Sequence, residues 1–389
     1  MSEITRKKLY LITTVARTMT FFKGQASLWQ QSFDVKAIAS EEERLKEFAE
    51  EEGIGFMYMP MHREISPLSD MSCLFKLVFL FIKDRPYIVH GNTPKASLLS
   101  MVAAWLTRRP VRIYMCHGLR YQTCYGVTRK ILMLMERISC YCATHVIGVS
   151  EGVCKQLVTD HLCEERKTKV VGYGTAGGID INRFSQQAIE GFLPIREQLR
   201  IPANDFVFCF VGRIVQDKGI NELVTAFDRL SYRYDNIHLL LVGPEEKELD
   251  PISEESEIRI GNNKRIYAVG RQSDVRPFLS GSDAFVLPSY REGVGMVLLE
   301  ANAMGVPCMA SNIIGCRDVV TPGINGELFE PRNEESLYKK MEDWIVHPDK
   351  VAALAANCRP YVKERYASAS VHRAYYSEYC SLAGLDSSC

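Results

Sequence analysis

The chain has 389 residues, 47% apolar and 24% charged, a length that suits two or three domains and a composition too apolar for a disordered protein. No stretch approaches the ~18 apolar residues that a membrane-spanning helix needs, and the start, Met1-Ser-Glu-Ile-Thr-Arg-Lys-Lys8, lacks the apolar core and cleavage site of a signal peptide. The 47 Lys and Arg balance 47 Asp and Glu, yet residues 1–200 carry 27 cations against 20 acids and residues 53–150 carry 12 against 4; no basic run with interleaved aromatics points to nucleic acid.

In chain order the first half reads as alternating strands and helices. Leu9–Val15 is a predicted strand, Lys23–Gln31 a helix, Val35–Ala39 a strand, Glu41–Glu52 a charged helix and Gly55–Met59 a strand. Ser69–Lys83 is an amphipathic helix, followed by strand Tyr87–His90, helix Lys95–Leu106, strand Val111–Cys116, helix Arg129–Ala143, strand His145–Val149 and the helix opened by Glu151–Asp160. Around Phe184–Pro202 the pattern weakens into a linker. It restarts with strand Phe206–Val211, helix Gly219–Tyr232, strands Ile237–Val242 and Ile266–Val269, short helix Val275–Gly281, strand Ala284–Leu287 and helix Gly295–Met304. Strands alternating with helices imply parallel α/β sheets. Two such arrays imply two Rossmann-like domains facing a cleft, the first over residues 1–185 and the second over 202–358.

The 13 cysteines are scattered, mostly among apolar neighbours. The closest pair, Cys140 and Cys142, has no second pair at zinc-site spacing. Reduced core thiols in a cytosolic protein are expected.

Two segments carry candidate chemistry. In Glu292-Gly-Val-Gly-Met-Val-Leu-Leu-Glu300, a Gly-rich loop joins the strand-like Asp283–Pro288 to a helix-forming run. Such a loop aims backbone N–H groups and a positive helix end at an anion. The flanking acids, Glu292 and Glu300, suit sugar or ribose hydroxyls; the same pair also fits a solvated helix start. In Phe208–Gly219 a strand ends at Gly212, Arg213 follows, and Lys218 stands at a helix start, so that two cations suit a diphosphate. His117 follows strand Val111–Cys116 in a loop at a strand's carboxyl end, where such sheets place ligands; a structural hydrogen-bonder is the alternative.

These segments resemble the Glu-x7-Glu and Gly-Arg-x4-Lys-Gly motifs of retaining glycosyltransferases of family 4, which have the GT-B fold. Gly281–Ser289, Ala301–Pro307 and Thr321–Phe329 resemble the family's surrounding context. The resemblance implies that Arg213 and Lys218 bind the donor pyrophosphate and that Glu300 holds the ribose. It places Glu292 and the backbone of Gly293, Val294 and Gly295 on the donor sugar, and Gly270–Val275, with Arg271, near the base. It makes His117 a further contact to that sugar. It also implies that the final helices, about residues 360–389, cross back onto the first domain. No Asp-x-Asp occurs in the chain, so metal independence is expected, with no cofactor beyond the UDP-sugar co-substrate. The first loop departs from the broad family: Phe22-Lys-Gly-Gln25 stands where many members carry Gly-Gly.

Phe22–Gln25, Met61–Pro67, Val89–Ala96, Cys116–Leu119 and Gly172–Asp180 resemble a bacterial subgroup that extends lipid-linked glycans for capsule, O-antigen or glycoprotein assembly. That likeness implies transfer of a hexose or N-acetylhexosamine from a UDP-sugar to a lipid-diphosphate-linked saccharide at the inner face of the plasma membrane. Arg63, Lys95 and Arg120 are then candidates for the acceptor diphosphate, with surface cations as the alternative. Met71–Lys83 either docks on the membrane surface or packs on the sheet. Competing functions are a UDP-sugar epimerase of the same fold and a non-catalytic binding subunit of a glycan assembly complex. A dinucleotide-dependent dehydrogenase lacks its Gly-x-Gly-x-x-Gly after the first strand.

Overall fold

The computed structural model describes residues 6–385 apart from Arg63, Ile65, Lys247 and Leu249. It divides into two compact units, Met1–Gly178 with Ser368–Cys389, and Ile179–Ala367. No described helix is long and apolar enough to cross a membrane. Ten of the twelve cysteines among the described residues are buried.

In the first unit strands β1 (Lys7–Val15), β2 (Phe33–Ser40), β3 (Gly55–Tyr58), β4 (Ile88–Asn92), β5 (Val111–Cys116), β6 (His145–Gly148) and β7 (Thr168–Lys169) form one sheet in the order β3-β2-β1-β4-β5-β6-β7. The pairings are parallel throughout. Helices α1 (Gln25–Trp29), α2 (Glu42–Glu52), α3 (Pro67–Asp84), α4 (Pro94–Leu106), α5 (Gly126–Cys142) and α6 (Glu151–Thr159) connect them. β1 lies between two parallel neighbours and is covered on both faces, which is why Leu9-Tyr-Leu-Ile12 is an unbroken apolar run with no exposure. The helix expected over Lys23–Gln31 is shorter. A 3₁₀ turn, Ala16–Phe22, comes first, and α1 begins only after Gly24, which stands at φ 73°.

In the second unit β8 (Phe206–Val211), β9 (Ile237–Val242), β10 (Ile266–Gly270), β11 (Ala284–Leu287), β12 (Cys308–Ser311) and β13 (Gly326–Phe329) form a parallel sheet in the order β10-β9-β8-β11-β12-β13. Its helices are α7 (Ile195–Gln198), α8 (Ile220–Ser231), α9 (Glu254–Asn262), α10 (Arg276–Ser280), α11 (Met296–Ala303), α12 (Cys316–Val319), α13 (Glu334–Val346) and α14 (Pro348–Tyr366). A buried polar knot ties α11 to the turn before β13. Asn325 Nδ2 donates to Asn302 Oδ1 at 2.6 Å, and Asn302 Nδ2 donates to the Val306 carbonyl at 2.9 Å.

The expected linker, Phe184–Pro202, belongs to the second unit. Arg196 spreads its guanidinium over the Gly281 and Asp205 carbonyls and the Asp283 carboxylate, at 2.9, 2.7 and 2.7 Å. Arg359, on α14, donates to the carbonyls of Ile181 and Ala303 at 2.7 and 2.6 Å. These two side chains fasten residues 181–205, so the units divide at Gly178 rather than near residues 185–202, and α14 stays with the second unit to its end.

Helix α15 (Ser368–Leu382) packs on the first unit. Tyr379 stacks on Trp29 with ring centroids 4.8 Å apart, and its hydroxyl is hydrogen-bonded to His90 Nδ1 at 2.8 Å. Tyr375 donates to the Thr175 carbonyl at 2.9 Å. Burial pushes His90 down to about 3, so the ring that shares this bond is neutral. Tyr379→Phe removes the hydroxyl and leaves Nδ1 buried without that partner. The substitution is expected to lower the unfolding free energy by about 1–3 kcal/mol; a denaturant midpoint equal to wild type would show that this bond contributes no net stability.

Candidate active site

In an open parallel sheet the crevice for a ligand opens where neighbouring strands lead off in opposite directions, at their carboxyl ends. In the second unit that point lies between β8 and β11. The loop after β8 carries Gly212, Arg213 and Lys218; the loop after β11 carries Glu292 to Gly295.

The two loops meet through their backbones. Gly219, at φ 70°, lies so close to the end of β11 that a Cβ there would sit 2.1 Å from the Pro288 carbonyl oxygen. No other residue fits, which accounts for the Lys-Gly sequence. The Tyr290 N–H donates to the Asp217 carbonyl at 2.9 Å, and Asp217 Oδ2 lies 3.5 Å from Arg291 Nη2. With the backbones locked, Lys218 Nζ reaches Glu292 Oε1 at 2.5 Å, both side chains largely buried. Gly315, at φ 84°, backs the same loop from β12's side: a Cβ there would meet the Gly293 carbonyl oxygen at 2.6 Å and that of Glu292 at 2.8 Å. The acid loop is thus fixed before any ligand arrives.

Gly295 caps α11. Its carbonyl accepts from Leu298 N–H at 2.8 Å, and a Cβ would strike the Leu298 side chain. Gly293 and Val294 precede it, so the helix's N-terminal end opens on the loop that holds Glu292. Glu300 stands one turn further along α11, facing the charge of Arg183. Burial pushes its carboxyl up to about 7, against the opposing pull of Arg183. Arg213, half-exposed, is held by Glu246 at 2.6 Å. Arg271 follows β10 and is exposed; Gly270 beside it accepts from the Gly243 N–H at 2.9 Å. The described residues thus bring Lys218 and Glu292 together and set Arg213 on the same loop as Lys218. Arg183 was not legible in advance, because it approaches Glu300 only through the fold of the preceding segment.

In the first unit the order in which successive strands are added reverses between β1 and β4, while every strand runs parallel to its neighbours. His117 follows β5. Its Nε2 is hydrogen-bonded to Asn92 Oδ1 at the end of β4, and Phe21 stacks on the ring with centroids 5.2 Å apart. With Oδ1 as acceptor, the proton sits on Nε2 and Nδ1 is left to accept. Burial pushes the ring down to about 4, so it is neutral near pH 7. Asn92 and Phe21 were missed as partners of His117; the rule that ligand sites gather at strand carboxyl ends would have picked out Asn92.

The three cations expected to meet an acceptor diphosphate have different fates. Arg63 lies outside the described residues. Lys95 is a correction: it is buried, pairs with Asp70 Oδ1 at 2.8 Å and donates to the Glu64 carbonyl, so its charge is spent inside the unit. Arg120 is exposed at the start of the 3₁₀ turn that follows His117. Among the described residues no cluster of three or more His, Cys, Asp and Glu side chains is placed to hold a metal ion.

Comparison with known proteins accords with this geometry. Residues 26–175 match the model of "Glycosyltransferase Family 4" and residues 192–365 that of "Glycosyl transferases group 1". The chain is 34% identical to the capsular polysaccharide biosynthesis glycosyltransferase CapM of Staphylococcus aureus, over 93% of this chain and 94% of that protein. It is 27% identical to the UDP-Gal:alpha-D-GlcNAc-diphosphoundecaprenol alpha-1,3-galactosyltransferase of Escherichia coli, over 85% and 84%. Among solved structures, Anabaena Alr3699/HepE in complex with UDP and glucose superposes with a TM-score of 0.77 at 20% identity, covering 97% of this chain and all of that one. Both the matched models and the two parallel sheets lead to one assignment: the chain is a glycosyltransferase of family 4 with the GT-B fold.

Proposed function

We propose that this glycosyltransferase moves a hexose or N-acetylhexosamine from a UDP-sugar to a lipid-diphosphate-linked saccharide in bacterial surface-glycan assembly, with retention of configuration and without a metal. The observation that carries the donor side is the Lys218–Glu292 contact at the switch point between β8 and β11, with Arg213 on the same loop. The acceptor side draws support from the E. coli relative, whose name specifies a diphosphoundecaprenol-linked acceptor, and from the capsular relative.

In this reading the diphosphate of the donor takes over the cations that Glu246 and Glu292 now hold. Arg213 and Lys218 then face the charge that develops on the leaving UDP as the glycosidic bond breaks. Fixed cations aimed at developing charge stabilise the transition state without reorganising at the moment of reaction. This is the work a divalent ion performs in metal-dependent transferases, and it supports the metal-free reading. The freed Glu292 turns to hydroxyls of the transferred sugar, with the N–H groups at the start of α11 beside it. Glu300 accepts from the ribose hydroxyls. His117, neutral with Nδ1 open, is suited to accept from a sugar hydroxyl. Leaving-group phosphate oxygen is the base for the acceptor hydroxyl, since no side chain is assigned as nucleophile.

Lys218→Ala and Glu292→Ala are each expected to lower kcat/KM by on the order of 100-fold or more while leaving the protein folded by circular dichroism. Near-normal turnover by either would sink the site assignment. Excess EDTA is expected to leave the rate unchanged, and a large loss restored by a divalent ion would overturn the metal-free reading. Transfer from a UDP-α-sugar should give an α-linked product by NMR; a β-linkage would refute retention.

The raised Glu300 carboxyl gives a pH test. As an acid with its pKa lifted to about 7, it binds a proton in the folded protein that the unfolded chain has already lost, so its contribution to stability shrinks as pH rises from about 4.5 through 7. Binding needs the carboxylate, so UDP affinity should strengthen as pH rises from about 6 to 8. UDP titrates in the same range, so the comparison is with Glu300→Gln. The wild type is expected to show the additional pH dependence and a proton release on binding that the variant lacks. Identical profiles would remove Glu300 from the ribose site.

A further inference from the structure

The first unit shows one surface that neither the donor site nor the core explains. Helices α3, α4 and α5 each connect strands that progress the same way across the sheet, from β3 to β4, β5 and β6. Right-handed crossovers therefore place all three on one face, and α4 packs between the other two. The inner side of α3 is ordinary core: Cys73, Leu77, Leu80 and Phe81 are buried. Its outer side is not. Leu68, Met71, Phe75, Phe79 and Ile82 recur at helical spacing, and each is between 52% and 89% exposed. The outer side of α5 repeats the pattern with Val127, Ile131, Leu134, Ile138 and Tyr141. Trp105, exposed at the end of α4, has its ring centroid 6.2 Å from that of Tyr141 and carries the stripe of α5 onto α4. Water-facing stripes of this length are unusual on a soluble surface and mark a face that is covered in use.

Charge decides what covers it. Lys76, Lys83 and Arg85 are exposed beside the stripe of α3, and Arg108, Lys130 and Arg137 beside the other elements. No acid on these three helices is exposed. Asp70 is paired with Lys95 at 2.8 Å, Asp84 accepts from Tyr10 at 2.5 Å, and Glu136 is buried against Tyr114. A second copy of this face would bring cations onto cations with no carboxylate between them. An anionic bilayer offers hydrocarbon for the stripes, negative head groups for the cations and an interface that favours Trp and Tyr. Between α3 and the edge strand β3 there is also an apolar groove of about 610 Å³, lined by Met57, Tyr58, Pro60, Phe75 and Phe79, with Lys76 and Lys83 among its residues. It has room for a hydrocarbon chain.

We propose that the outer face of α3, α4 and α5 docks on an anionic lipid bilayer, with Phe75, Phe79, Ile131 and Leu134 entering the head-group boundary. The need for such a surface rests on the reading of a lipid-linked acceptor, whereas its physical test does not. The full-length protein is sedimented with phosphatidylcholine vesicles, with and without about one third phosphatidylglycerol, in the absence of any substrate. Wild type is expected to partition about tenfold or more in favour of the anionic vesicles, and added salt should weaken that binding. The pairs Phe75→Ser with Phe79→Ser, and Lys76→Glu with Lys83→Glu, are each expected to reduce binding about tenfold or more with unchanged circular dichroism and melting, since all four side chains are exposed.

Equal partition onto both vesicles, or binding untouched by both pairs of substitutions, would overturn the proposal. A homodimer in solution that Phe75→Ser with Phe79→Ser disperses would overturn it too, in favour of a second copy as the occupant. Transfer to a short-chain, water-soluble acceptor should survive the Phe75 and Phe79 substitutions. Vesicle binding by a wild type that transfers nothing to a lipid-diphosphate acceptor would sink the acceptor reading and leave the docking surface standing.

Discussion

The second unit is organised around one close approach: the backbone of Gly219 against the carbonyl of Pro288. That contact joins the loop after β8 to the loop after β11, and everything charged at the switch point depends on it. Lys218 reaches Glu292 because the residue next to it has no side chain. A methyl at that position would have to occupy the space of the carbonyl oxygen, and the loops would part. Gly315 presses the acid loop from the other side. Two glycines therefore hold a cation and a carboxylate in register more rigidly than the side chains themselves would, as a site that must hold its geometry before the ligand arrives requires.

The polar groups at the two switch points are treated differently, and burial sets the difference. Lys218 and Glu292 are paired with each other at 2.5 Å in a largely dry setting. Glu300 has only the more distant Arg183, so desolvation lifts it towards neutrality. His117 and His90, both in the first unit, are pushed down by burial and stay uncharged. Their neutrality has different uses. His90 is a structural hydrogen-bond partner of Tyr379 on α15, while His117 sits at a strand end with one ring nitrogen committed to Asn92.

The first unit also separates two kinds of apolar surface. The inner sides of α3 and α5 bury side chains against the sheet in the ordinary way. Their outer sides continue the apolar character into water, flanked by cations and cleared of free acids. A helix that is apolar on both sides would normally be central to a large core. Here nothing from the described chain covers it, and the absence of exposed carboxylates makes the pattern more than a surplus of hydrophobic residues.

Much of this was readable in the residues themselves. Parallel strands buried on both faces must be unbroken apolar runs, so Leu9–Ile12, Phe206–Val211 and Ala284–Leu287 declared their places, and the alternation with helices declared the fold class. The donor motifs were legible because Gly, Arg, Lys and Glu at loop positions serve narrow purposes. Helix α9 and strand β12 were not placed, since a charged nine-residue helix and a four-residue apolar strand give too few residues for a period to emerge. The long segment before β8 read as a linker because its anchors, Arg196 and Arg359, act through carbonyls that sequence does not mark. Lys95 looked like a free cation, and only the fold revealed Asp70 beside it. The sequence by itself determined which strands and motifs exist, because those follow from local period and backbone chemistry. Only tertiary structure decided which charges are spent, which carboxyl is pushed towards neutrality and which apolar stripes stay uncovered, because burial and pairing belong to residues far apart in the chain.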